Sequence, residues 1–160
     1  MSIEENAEAW LKELEKRRRS IDLHLDREGA WWHDGAPFTH DRLIEAFNRG
    51  LDIDIDSGEP ILRVGGHWCY ISVEDTAFIV LRVSQQKGAF SVLLNTREKI
   101  EMDPTSLSFV GETLYTRLGD GRRARFNRDA LATIAGWLIE KNEEYFLQTP
   151  NGDWPIRLEE

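Results

Sequence analysis

Apolar residues in the first segment of the chain recur at helical spacing. Ile3, Ala7, Trp10, Leu11 and Leu14 fall on one side of a helix predicted over residues 3–19. Ser2 followed by Glu5 is a capping-box pair, in which hydroxyl and carboxylate each satisfy an orphan backbone N–H. Glu4 and Glu5 stand at the positive end of the helix dipole, and Lys16, Arg17, Arg18 and Arg19 at the negative end. The basic run therefore reads as a solvated helix end, with an anion or partner contact as the alternative. Two heptads are too short for a dimer seam, so the apolar stripe is expected to dock on the body of the same chain.

Beyond residue 20 the period changes from helical to alternating, and one design occurs twice. Phe38-Thr39-His40-Asp41-Arg42-Leu43 and Phe126-Asn127-Arg128-Asp129-Ala130-Leu131 each read as a helix start. Thr39 and Asn127 are N-cap types, Asp41 and Asp129 favour the dipole, and the flanking Phe–Leu pairs fit a hydrophobic staple. A hairpin is predicted before each helix, 21–25 with 30–33 and 113–118 with 122–126. After each helix come a strand, a turn, a tryptophan (Trp68 or Trp154) and a closing strand. Between the two copies, residues 77–84 and 89–95 alternate as strands around Lys87-Gly88, and another strand covers 97–102 before the Asp103-Pro104 turn. The predicted fold class is α+β: two ββαββ-like units with mostly antiparallel sheets, plus the N-terminal helix. The expected divisions are 1–20, 21–76 and 77–160, with a ligand groove where the halves meet.

Charge narrows the function classes. The chain carries 20 basic and 29 acidic residues, a formal −9, which argues against a nucleic-acid coat or an anionic membrane surface. Cys69 is the one cysteine, so no intrachain disulfide forms and a reducing, cytoplasmic compartment is expected. No apolar run reaches the roughly 18 residues of a membrane span, and residues 1–20 lack a signal-peptide core.

Against this acidic background, Arg117, Arg122, Arg123, Arg125 and Arg128 crowd into twelve positions. Arg123 and Arg125 share one face of their strand, Arg122 points with Ala124 and Phe126 to the other, and Arg128 opens a helix. Guanidinium forks in this setting suit phosphate or carboxylate recognition. The alternative is structural: Asp52, Asp54, Asp56 and Glu59 form an acidic stripe that these arginines would pair with. The same stripe, Asp52-Ile53-Asp54-Ile55-Asp56, does not make a calcium loop. Ser57 and Arg63 stand where an EF-hand needs Gly and Glu. Its alternation predicts a strand with Ile53 and Ile55 inward.

Other chemistry is sparse. His24, His33, His40 and His67 lack metal-ligand spacing. Cys69 lies in an apolar strand with nothing to lower its pKa. No Gly-x-Ser-x-Gly elbow, P-loop or Gly-x-Gly-x-x-Gly is present, so no catalytic constellation recommends an enzyme. His67-Trp68 after Gly65-Gly66 offers a hydrogen-bonding group and a ring on which a base would stack, with a core tryptophan after a turn as the alternative.

Several segments together resemble the bacterial domain of unknown function 1285 family: Ile21 to Pro37, Leu43 to Phe47, Val73 to Phe78, and Gly121 to Arg128. The resemblance implies a duplicated α+β fold whose second half is superficially pleckstrin-homology-like. It also implies a nucleotide-like ligand and a part in signal transduction. Arg125 and Arg128 match the family's Ala-Arg-x-x-Arg stretch. Two segments depart from the family, Thr96-Arg97 and Val64-Gly65-Gly66-His67. The expectation is a non-enzymatic ligand-binding or sensory domain with no cofactor or metal, in which Arg125, Arg128, Arg97 and Arg123 bind phosphate, Trp68 stacks and His67 hydrogen-bonds. Its rival is a protein-interaction module with no small ligand.

Overall fold

The computed structural model describes residues 2–15, 18–20 and 22–160. The chain divides into two compact units, residues 1–77 and 78–160. No helix among the described residues is long and apolar enough to cross a membrane.

In the first unit, α1 (Ile3–Glu15) ends earlier than its apolar period suggested. Its capping box forms: Ser2 Oγ accepts the Glu5 N–H at 3.0 Å and Glu5 Oε2 accepts the Ser2 N–H at 3.2 Å. Ala7 is fully buried, and Trp10 packs edge-on to His33 and Phe38 and tilted against Phe47. Lys16, Arg17, Ile21 and the side chains of Leu11 and Leu14 lie outside the described residues.

Three antiparallel strands follow, β1 (Leu23–Leu25), β2 (Trp31–His33) and the two-residue β3 (Ala36–Pro37). Only the first two were expected. Trp31 is core, its Nε1 donating to Asn48 Oδ1 at 2.8 Å, whereas Trp32 is half-buried and donates to Asp26 Oδ2 at 2.9 Å. Helix α2 (Asp41–Arg49) starts one residue later than predicted. Its N-cap is His40, not Thr39, with Nδ1 accepting the Leu43 N–H at 3.3 Å. Thr39 then takes the position before the cap, which displaces the expected Phe38–Leu43 staple, and Phe38 packs edge-on to Phe47 at 5.3 Å. Gly50 closes the helix where a Cβ would stand 1.9 Å from the Arg63 carbonyl oxygen, so backbone contact itself demands glycine there.

The chain continues through the antiparallel meander β4 (Leu51–Ile53), β5 (Pro60–Val64) and β6 (His67–Tyr70), then β7 (Ser72–Val73), which pairs parallel to β1. The predicted acidic strand stops at Ile53. Asp54 turns the chain, accepting the Gly58 N–H on its carbonyl, and Ile55 is 94% exposed, not inward. Alternation inside a turn has no face to bury, and that is why the pattern misled.

The second unit opens with the hairpin β8 (Phe78–Gln86) and β9 (Ala89–Leu94), turned by Lys87 and Gly88 at positive φ, followed by β10 (Lys99–Met102). Asp103 caps a 3₁₀ turn at 104–106. The strands β11 (Ser108–Val110), β12 (Thr113–Arg117) and β13 (Arg123–Phe126) lead to α3 (Arg128–Ile134), whose N-cap is Asn127 as expected, its Oδ1 accepting the Ala130 N–H at 2.8 Å. After a 3₁₀ turn at 135–137 come the meander β14 (Leu138–Lys141), β15 (Glu144–Thr149) and β16 (Gly152–Pro155), then β17 (Arg157–Glu159). Strand β17 runs parallel to β11, and β13 parallel to β8, giving an open seven-stranded sheet in the order β10-β9-β8-β13-β12-β11-β17. Its core side buries Phe78, Val80, Leu114, Ala124 and Phe126, next to Ala130 and Ile134 of α3.

The fold is thus α+β, mostly sheet, with open sheets. In both units three antiparallel strands stand immediately before the helix, β1–β3 and β11–β13, and a three-stranded meander follows it. The last strand then returns parallel to the first of those three, β7 to β1 and β17 to β11. The predicted ββαββ order lacked β3, β11 and these parallel returns, and it had two strands after each helix where the structure has four.

Candidate functional site

The arginine-rich segment is the β12–β13 hairpin and the start of α3. Gly119-Asp120-Gly121 turns the chain, with Gly121 at φ +89°, and strand alternation then sorts the side chains. Leu114, Thr116, Ala124 and Phe126 face the core. Tyr115, Arg117, Arg123 and Arg125 share the opposite face, with Tyr115 opposite Arg125 and Arg117 opposite Arg123. The ladder extends this face outward: Ser108 lies opposite Tyr115, and β17 aligns Arg157 with Ser108 and Glu159 with Val110. Four arginines, one tyrosine and one glutamate therefore belong to one face of the sheet.

At its centre the Arg123 guanidinium lies 3.8 Å from the Tyr115 ring centroid, a cation–π contact that helps bury the tyrosine to 5% exposure. Arg123 Nη2 stands 3.6 Å from Glu159 Oε2, close enough for charge attraction but too far for a hydrogen bond. That nitrogen is buried and has no hydrogen-bond partner among the described residues. A buried N–H without an acceptor costs about 1–3 kcal/mol, while the Arg123 side chain as a whole is 39% exposed.

The other expected site residues are distributed. Arg122 turns to the core side, 4.5 Å from the Phe78 ring centroid, and pairs with Asp120 and, at 3.6 Å, with Glu98. Arg128 is the exposed first residue of α3. Arg97 is exposed in the β9–β10 turn at φ +75°, its N–H donating to the Leu94 carbonyl, next to the Glu98 that pairs with Arg122.

Trp68 and His67 belong to the first unit, on β6. The Trp68 ring already carries the chain's own guanidinium: Arg18 lies 3.9 Å from its centroid and donates Nε–H to the Trp68 carbonyl at 3.2 Å. Arg19 repeats the arrangement on Tyr70 at 3.8 Å, its Nη2 held by Glu59 at 2.8 Å. Arg18 and Arg19, expected at a solvated helix end, thus lie in the turn beyond α1 and clamp β6. At Gly65 the close approach is made by Glu8, whose Oε1 a Cβ would meet at 2.6 Å.

The acidic stripe finds partners within the first unit. Asp52 pairs with Arg63 at 3.2 Å. Asp54 accepts from Ser57 Oγ at 2.7 Å, a bond that holds its carboxyl below the usual range, and Glu59 is held low by Arg19. Burial pushes the Cys69 thiol up to about 11, so it is almost wholly protonated at neutral pH. No cluster of three or more His, Cys, Asp and Glu side chains suited to a metal ion occurs among the described residues. A hollow of about 450 Å³ between the start of α1 and α2 mixes Arg42 and Arg49 with Glu4 and Glu45, and Arg49 pairs with Glu45 at 3.1 Å, so its charge is balanced.

Sequence reasoning missed Tyr115, Arg157 and Glu159. The alternation of Tyr115 with Arg117 was a usable signal. Arg157 and Glu159 had none, because only the parallel β11–β17 pairing brings them to the face.

No family model matches the chain, and no curated protein matches it. Solved structures do. A crystal structure of a DUF1285 family protein from Silicibacter pomeroyi DSS-3 superposes with a TM-score of 0.63 at 16% identity, over 86% of this chain and 80% of that one. One from Shewanella baltica OS155 gives 0.57 at 15% identity, over 73% of this chain and 92% of that one. At such identities it is the path of the backbone that is shared: the chain has the fold of the domain of unknown function 1285 proteins.

Proposed function

We propose that this chain is a cytoplasmic ligand-binding, non-enzymatic domain of the 1285 family. Its ligand is an anionic, nucleotide-like molecule held on the arginine face of the second unit, in a sensory or signalling role. The observation that carries the reading is the buried Arg123 Nη2 without a hydrogen-bond acceptor, on a face that also holds Arg117, Arg125 and Arg157. A phosphoryl group supplies acceptors of matching charge, and Arg123 is already positioned by stacking on Tyr115, so little ordering remains to be done on binding. Binding rather than catalysis is favoured because the chain's one thiol is buried and protonated. The shared order of strands and helix in the two units supports reading them as copies of one motif. The pleckstrin-homology-like reading of the second unit draws its support from the family resemblance and its strand-rich meanders.

The test is calorimetric titration with phosphate, pyrophosphate and nucleoside mono-, di- and triphosphates, on the wild type and Arg123→Met. Methionine keeps apolar packing over Tyr115 while removing the guanidinium. Saturable binding by the wild type that Arg123→Met loses supports the proposal. Equal binding by both, or none with protein shown to be ligand-free, overturns it.

A further inference from the structure

Strand β17 is the outermost strand of the seven-stranded sheet, and all three of its residues are exposed. Arg157 donates its N–H to the Leu107 carbonyl on the β11 side at 3.3 Å. Successive residues of a strand turn their N–H and C=O groups to opposite sides, so Leu158 presents both groups to the open edge. Leu158 as a whole is 60% exposed. Leu158 stands beside Phe109 in the β11–β17 register, and the Phe109 ring lies 5.7 Å from that of Tyr145, itself 37% exposed. One apolar patch thus borders an open backbone edge.

The flanking charges identify the occupant. An antiparallel strand centred on Leu158 that is a second copy of β17 would set Leu158 against Leu158, Arg157 against Glu159, and Glu159 against Arg157 of the second copy. The edge is self-complementary about a two-fold axis, as an isologous interface requires. The central pair exchanges both backbone hydrogen bonds, and the opposite charges occupy the flanking positions, where facing side chains approach most closely. The register is fixed at its far end, because the Ile156 N–H is already spent on the Tyr145 carbonyl at 2.8 Å, which stops the ladder at residue 157.

We propose that the protein self-associates as a two-fold dimer through antiparallel β17–β17 pairing about Leu158, which joins the two seven-stranded sheets edge to edge. A three-residue ladder with a small apolar flank is at the low end of interface sizes, so the dimer is weak and concentration-dependent. In it, Arg157 of the second copy comes opposite the Glu159 that faces Arg123, and the arginine faces of the two copies become continuous.

The experiment is sedimentation velocity over a concentration series, on the wild type, Arg157→Glu, Glu159→Arg, the double swap and an equimolar mixture of the two single variants. The expected result is a wild type whose sedimentation coefficient rises with concentration and single variants that stay monomeric. The mixture associates again, because each contact then sets glutamate against arginine, and the double swap associates with itself. Circular dichroism confirms that each variant is folded. If Glu159→Arg loses its fold through the Arg123 contact, Arg157→Glu and the double swap decide alone. A monomeric wild type up to about 1 mM overturns the proposal. So does association of the folded Arg157→Glu at wild-type strength, which would place the contact on another edge, such as β10.

Discussion

Arginine stacks on an aromatic ring in both units, but the two uses differ. In the first unit Arg18 lies on Trp68 and Arg19 on Tyr70, and each guanidinium also has its acceptor, the Trp68 carbonyl and the Glu59 carboxylate. In the second unit Arg123 lies on Tyr115 at the same distance, yet its Nη2 is buried without a hydrogen bond among the described residues, and the Glu159 carboxylate oxygen stops at 3.6 Å. The first arrangement is closed and serves the fold. The second is stacked but incomplete, which is the state expected of a group kept for something that arrives from outside.

Breaking the clamp of the first unit should give the largest effect. Trp68→Ala removes a half-buried indole, the platform for Arg18 and an edge contact with Tyr70, and should destabilise the protein by about 2–4 kcal/mol in urea unfolding. Its anion binding should be unchanged if the two arginine sites are independent. Arg18→Met keeps an apolar chain over the ring but loses the bond to the Trp68 carbonyl, and should cost about 1 kcal/mol by the same measurement.

An effect confined to acid pH comes next. Burial alone would raise the Asp26 carboxyl, but hydrogen bonds from Trp32 Nε1 and the Ala30 and Glu28 amides outweigh it and hold the group below its ordinary value. A carboxyl lowered in the folded state adds stability that is complete above the unfolded pKa of about 3.9 and is lost as pH falls through the folded value. Asp26→Asn should therefore flatten the acid limb of the stability profile, followed by thermal melts between about pH 2 and 5, and leave its slope near neutrality unchanged. The smallest effect is predicted for Arg123→Met. Relief of a buried unsatisfied N–H offsets the lost cation–π contact and the attraction to Glu159, so the melting temperature should change by the equivalent of less than about 0.5 kcal/mol.

The same contrast separates what the residues of the chain encode locally from what only the folded chain brings together. Local chemistry was legible: the Ser2–Glu5 box, the Asn127 cap, the Lys87-Gly88 and Gly119-Asp120-Gly121 turns, and the alternation that separates Arg123 and Arg125 from Ala124. Part of what escaped was local, the short hairpin strands β3, β11 and β14; the rest depends on distant pairings. Strands β7 and β17 are short and return parallel to partners about 50 residues earlier, and no local pattern encodes such a pairing. That return alone brings Arg157 and Glu159 beside Arg123. The clamp of Arg18 and Arg19 was hidden for the same reason, since a basic helix end reads as dipole compensation until β6 is placed beneath it. At Ile55 the pattern was positively misleading, because polar–apolar alternation carries the same letters in a turn as in a strand.

The central claim, that Arg123 is held for an external anion, is tested most directly by following the melting temperature of wild type and Arg123→Met against increasing pyrophosphate at constant ionic strength. The account predicts a saturable rise for the wild type, worth about 2.7 kcal/mol at a hundredfold excess over the dissociation constant, and a flat response for Arg123→Met. Parallel curves for the two proteins, rising or flat, would contradict it.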